Sequence, residues 1–168
     1  LKGNQITADT TRPTVDNITA EVVVNESTIS NTGIYNKAGN EVKVTVKFNE
    51  PVYSAVEKPV INIGFSESEG VEPEYNRTAE YSSVLTESTD TIEFVYTIQE
   101  DDNGYLWIKV PENQFKDVAL LDGNLNATME TGKEITDIYA DTAAPKLTYN
   151  GGTDTSFYVY TREDDNGV

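Results

Sequence analysis

Cysteine and histidine are both absent from the sequence. Without cysteine there is no disulfide framework and no thiol chemistry, so the apolar core must hold the fold, with or without help from ions. Without histidine the commonest general base and the commonest transition-metal ligand are missing. Ser/His/Asp and Cys/His arrangements are therefore impossible, and no motif supports a Ser–Lys pair. Long runs of Leu, Ala, Lys and Glu at helical spacing do not occur, and no signal peptide or membrane-spanning stretch is visible. Basic residues are scarce, with 12 Lys and Arg against 29 Asp and Glu and a formal charge of −17. Such a surface repels phosphate backbones and anionic bilayers, so neither nucleic acid nor direct membrane insertion is expected. The acidity itself has two compatible readings: it keeps an extracellular protein soluble, or it recruits hard divalent cations, calcium first.

What the chain does contain favours strands. Ten Tyr and five Phe accompany many Val, Ile and Thr, residues that suit a pleated, half-buried surface. The chain also repeats itself. Ala8-Asp9-Thr10-Thr11-Arg12-Pro13 returns 132 residues later as Ala140-Asp141-Thr142-Ala143-Ala144-Pro145. A Tyr-headed segment running through a polar turn to Val occurs at 35–42 and again at 160–168, in the same order. One complete unit is expected over residues 9–140. Residues 1–8 read as the tail of a preceding unit, and 141–168 as the start of a second, truncated one. Ala-Asp-Thr-x-x-Pro is then the joint. Its proline fixes φ and withholds a ladder donor, which suits the approach to a new strand.

Seven strands are expected in the complete unit. Thr14 to Val24 is extended and β-branched, and the polar stretch 25–34 has room for a short second piece. Val42, Val44, Val46 and Phe48 alternate with Lys43, Thr45 and Lys47, the signature of a half-buried strand. Further strands are expected at Pro59–Phe65, Glu74–Val84 (an edge), Thr91–Ile98, Tyr105–Val110 and Lys133–Tyr139. The expected core is Val44, Val46, Phe48, Ile61, Ile63, Ile92, Phe94, Leu106 and Ile108. Phe115, Val118, Leu120 and Leu121 are expected to tuck the connection 111–132 against the end of the sandwich. Seven short strands separated by turn signals describe an all-β, immunoglobulin-like β-sandwich, followed by the first strand region of a further repeat.

The joint, followed by Ala38-Gly39-Asn40-Glu41-Val42-x-Val44-x-Val46-x-Phe48-Asn49-Glu50-Pro51-Val52, resembles bacterial immunoglobulin-like repeats of large surface proteins and adhesins. Glu93–Ile98, the acidic turn at 101–104, and Lys116-Asp117 with Asp122-Gly123-Asn124 extend the resemblance over roughly residues 9–145. Asn40 departs from it, since relatives often carry Asp there. The resemblance implies an extracellular protein, secreted or attached to a cell wall. Its repeats would serve as stalk, spacer or adhesion modules, and some relatives bind calcium at their junctions. Some surface domains of this type carry Lys–Asn isopeptide bonds, but Lys43, Lys47 and Lys109 fall on the face assigned to solvent.

Two features are candidates for function. In an immunoglobulin topology the turn Glu100-Asp101-Asp102-Asn103-Gly104 shares a pole with Asp141. Glu100, Asp101, Asp102 and Asp141 would then converge at the joint, where a Ca²⁺ ion can relieve their repulsion. The plain alternative is a tight turn in which Asp and Asn bond their own backbone and Gly104 supplies a positive φ. Trp107 is the second candidate: on an open sheet face it could stack on a sugar ring, whereas in the core or over an edge it would be structural. The Asn-x-Ser/Thr sequons at Asn17, Asn25, Asn76 and Asn126 would mark exposed loops in a host that glycosylates. A carboxylate pair for glycoside hydrolysis is conceivable in so acidic a chain, but the acids cluster in turns, where they solvate. The expectation is a non-enzyme whose partners are neighbouring repeats and a host or cell-surface protein or glycan. The alternative is an accessory or carbohydrate-binding module of a secreted polysaccharide-degrading enzyme.

Overall fold

A computed structural model describes residues 9–24, 27–29, 34–81, 85, 87–119 and 123–144. Alternation of apolar and polar residues dictates the longest element, β4 (Glu41–Ser54), in which Val42, Val44, Val46 and Phe48 are buried and Glu41, Lys47 and Asn49 are exposed. The same two-residue period buries Ile92, Phe94 and Tyr96 in β7 (Thr89–Thr97). β4 lies between β7 and β1 (Val15–Val24), and β1 carries the short β2 (Ser27–Ile29) on its far side. Past Phe48 the edge that held β1 is taken over by β9 (Phe115–Asp117), with Val52 opposite Asp117 and Ser54 opposite Phe115. Pro51 sits where the β4–β7 register shifts, a place where its missing N–H costs no ladder bond.

The second sheet has the order β3 (Ile34–Asn36), β10 (Lys133–Asp141), β8 (Asn103–Lys109), β5 (Val60–Ser66), β6 (Arg77–Glu80). Every pairing is antiparallel except β3 with β10, which is parallel. The two sheets form a β-sandwich, and no helix occurs among the described residues. All nine expected core residues are at most 2% exposed. At about 2 kcal/mol for each fully buried large aliphatic or aromatic side chain, they are the main source of stability. Phe115 joins them, with its ring 5.0 Å from Phe48 and 6.5 Å from Phe94.

Several expectations need correction. Ten strands are described, not seven, because β2, β3 and β9 are too short for a period to show. Among the described residues the polar fourth strand is Arg77–Glu80, at the expected edge, and 82–84 lie outside them. Of the residues expected to tuck in the connection, Phe115 is buried but Val118 is 51% exposed. Val118 follows the last residue of β9, where the chain turns outward. Leu120 and Leu121 lie outside the described residues, as do residues 1–8 and 145–168. The acidic turn also differs: Asp101 holds the left-handed conformation (φ 75°), and β8 already begins at Asn103. Gly104 has φ 119° inside that strand, where a Cβ would collide with the backbone of Ser66.

Candidate functional site

The strand register places the recurring joint residues at opposite ends of the sandwich. At the proximal pole Asp9 accepts a bond from the Asn124 side chain, and Thr14 exchanges bonds with Asn49, near the far end of β4. At the distal pole Asp141 pairs with Asn103, while Gly39 and Asn40, just before β4, bond to Ile98. The β4 residues 41–50 span the distance between the poles, roughly 30 Å at about 3.3 Å per residue.

Three of the four predicted acids come together at the distal pole. Glu100, Asp101 and Asp141 line one shallow depression with Lys37, Ala38, Thr142, Ala143 and Ala144. Asp102 is not part of it. Its carboxylate is 2% exposed and turned inward, where it accepts bonds from Arg77 Nε (3.1 Å), the Gln99 amide (2.8 Å) and the Tyr96 hydroxyl. Burial, and then the neighbouring Asp102 carboxylate, push the Tyr96 phenol far above its ordinary value, so it stays a proton donor.

The tightest acidic group lies at the other pole. Asp9, Glu50 and Asp117 each bring a carboxylate oxygen within 4.8 Å of the others. Asp117 is 2% exposed and sits at the end of β9. Burial opposes its ionisation, but bonds from the Ala119 amide (2.9 Å) and from the Asn124 amide and side chain (2.8 Å each) outweigh that and hold its carboxyl below the usual range. Glu50 is shifted the other way. Burial, then Asp117, then Asp9 raise its pKa. A carboxyl whose folded pKa is raised penalises the fold when ionised. That penalty is absent below the unfolded value, grows as pH rises towards the folded value, and is complete at neutral pH. The trio is chemically suited to a hard cation: two carboxylates on strands and one on the segment that precedes β1, with Glu50 destabilised by its neighbours' charge.

No protein-family model matches the chain, and no curated protein or solved structure matches it either.

Sequence reasoning missed the trio because Glu50 and Asp117 meet only through the β4–β9 pairing, which no periodicity announces. One signal was available: Asp9 is the residue that recurs as Asp141. Trp107 is also placed differently from an open platform. It lies between Gly64 and Glu134 on the outer face of its sheet, and the connection 67–76 crosses that face as a strap. A Cβ on Gly64 would stand 2.8 Å from Pro73 and 2.9 Å from the Glu74 carbonyl. Glu72 pins the strap by accepting bonds from the Gly132 amide, the Tyr75 hydroxyl and Lys109, and Glu134 accepts from the Gly70 amide. Trp107 is consequently 5% exposed, and its Nε1 is buried with no partner among the described residues. A sugar ring could stack on it only if the strap lifted.

Proposed function

We propose that the chain is a non-catalytic, immunoglobulin-like spacer module of an extracellular tandem-repeat protein, acting as stalk or adhesion scaffold. One observation carries this reading: the chain enters the sandwich at one pole and leaves at the other, and the same Ala-Asp-Thr-x-x-Pro joint stands at both points. A module built that way propagates end to end. The strand order supports the immunoglobulin-like assignment, with β1, β4 and β7 facing β10, β8, β5 and β6, and β3 laid parallel on β10. Composition supports the absence of catalysis, since no histidine or cysteine is present.

The direct test is the full chain with residues 9–140 duplicated in phase, so that Ala140 is followed by a second Asp9. Both copies are expected to unfold cooperatively near the midpoint of the single chain, with about twice the unfolding enthalpy, because enthalpy scales with the residues folded. A duplicated chain that fails to fold would sink the reading.

A second reading, that calcium stiffens the poles, is favoured by the Asp9–Glu50–Asp117 trio. Calcium at about 100 times its dissociation constant contributes about 2.7 kcal/mol, which is about 5–10 °C in melting midpoint for a chain of this size. Glu50→Gln should abolish that response. In EDTA the same variant should melt slightly higher than the parent, because the penalty of ionising Glu50 beside Asp117 and Asp9 is gone. That advantage should vanish below about pH 4, where carboxyls protonate even in the unfolded chain. Equal calcium shifts in parent and variant would remove the trio from consideration.

A further inference from the structure

The two poles of this one sandwich present complementary halves of a single junction. At the distal pole the joint is held through its threonine. The Asp101 amide donates to Thr142 Oγ1 (3.0 Å), and the Thr142 amide donates to Asn103 Oδ1 (3.0 Å). At the proximal pole the joint is held through its aspartate. The Asp9 main-chain carbonyl accepts from the Asn124 side chain, and the Asp9 carboxylate faces Glu50 and Asp117. Thr10, the counterpart of Thr142, is exposed and makes no hydrogen bond among the described residues.

From these two half-sets we propose that successive modules dock pole to pole and share one Asp-Thr pair. The threonine is locked into the turn between β7 and β8 of the preceding module, and the aspartate is held by Asn124 of the following one. The proposal rests on the tandem-module reading and deepens it, with a second sandwich of this kind as the partner. Laying Asp9-Thr10 on Asp141-Thr142 leaves no free linker between the two locks, since they fall on adjacent residues.

Two surface features fit that docking. Val118 (51% exposed) and Leu125 (40% exposed) lie beside the proximal trio, next to Asp117 and across from Lys116 respectively. Together they offer apolar surface at the end that would be covered. The distal pole presents Ala38, Ala143 and Ala144, small residues that permit close approach. Glu100, Asp101 and Asp141 line the distal depression, but one cation, Lys37, lies among them. Lys37 makes no ion pair among the described residues. The proximal pole carries three acids around Asp117. In a docked pair Lys37 of the preceding module faces the trio of the following one and offsets part of the repulsion between the acids of the two poles.

The absence of native cysteine makes the test clean. In the in-phase duplicated chain, Val95→Cys is introduced in both copies; Val95 is 53% exposed on the outer face of its sheet. Spin labels there should give one narrow distance peak in EDTA, centred on the order of 30 Å, the pole-to-pole span of the first ten residues of β4. Replacing the second copy's Thr10 with Val, together with Asn103→Ala in the first copy, should broaden the peak to that of a flexible tether. A broad distribution in the parent duplicate, or a peak unmoved by these changes, would overturn the shared lock. Two normally unfolding copies with a broad distance would leave the tandem reading standing without the lock. Copies that do not fold would remove both.

Discussion

Asp102→Ala is expected to lower the unfolding free energy by about 3 kcal/mol, at the lower end of the range for stripping one partner from a buried charged pair. The cost comes from what the carboxylate leaves behind. The Tyr96 hydroxyl, 3% exposed as part of its residue, loses its acceptor, the Gln99 amide loses the bond that closes the turn, and Arg77 loses its counter-ion. Arg77 keeps 26% of its side chain in water, so it rehydrates in part, and the loss stays below the full penalty for a sealed pair. For a chain of this length the melting midpoint falls by about 6–12 °C. Asp102→Asn should cost less, since an amide oxygen in the Oδ2 position still accepts from both Tyr96 and Gln99 and only the Arg77 contact is lost. Urea titrations of the three proteins check the order. The same variants bear on calcium: neither should change the calcium shift of the parent, because Asp102 faces inward at the pole opposite the trio. Loss of the calcium shift in Asp102→Asn would put the carboxylate back at the surface and overturn the network.

The fate of that residue shows where sequence reasoning reached and where it stopped. Patterns of period two placed the inward positions of β4, β5, β7 and β8, because burial follows alternation wherever a strand has one wet face, but they did not foresee Trp107, which is buried on the outer face. Grouping Asp102 with Glu100, Asp101 and Asp141 assumed that every acid in a polar turn faces water. The contrary signal was present in Tyr96, an apolar-face position with a hydroxyl that needs a partner once buried. The strap over Trp107 was not legible, since 67–76 is polar and turn-rich. Only the covered Gly64 and the hub at Glu72 show that it lies back on the sheet. β9 was hidden for a different reason. Three residues cannot display a period, and its identity depends on β4 running past the end of β1 to offer a vacant edge.

Asn126 holds that hidden strand in place, and Asn126→Ala should be about as damaging as Asp102→Ala, with a loss of about 3–4 kcal/mol. The side chain is fully buried, and all its capacity is used on the backbone. Its Oδ1 accepts from the amides of Gln114 (2.8 Å) and Phe115 (2.9 Å), and its Nδ2 donates to the carbonyls of Pro111 (2.9 Å) and Ala127 (3.1 Å). Alanine leaves two donors and two acceptors without partners, the Phe115 amide buried and the other three part-buried. Each costs about 1–3 kcal/mol in isolation, and relaxation of a surface connection returns part of the sum. The damage reaches the core, because Phe115 is aligned against Phe48 and Phe94 by the amide that Asn126 holds. It reaches the proximal pole too, since Asp117 is two residues further along β9, so the calcium shift should fall together with stability. Asn126→Asp should be worse still: it keeps the acceptors, discards both donors and forces a charge into a site with no water. Asn126 also stands in the sequon Asn126-Ala127-Thr128, yet its nitrogen is sealed inside, whereas Asn17 and Asn76 are exposed. Glycopeptide mapping after expression in a glycosylating host should show glycan at those two positions and none at Asn126. Glycan on Asn126 of the folded protein would mean that the connection opens, and would remove the basis for the predicted loss.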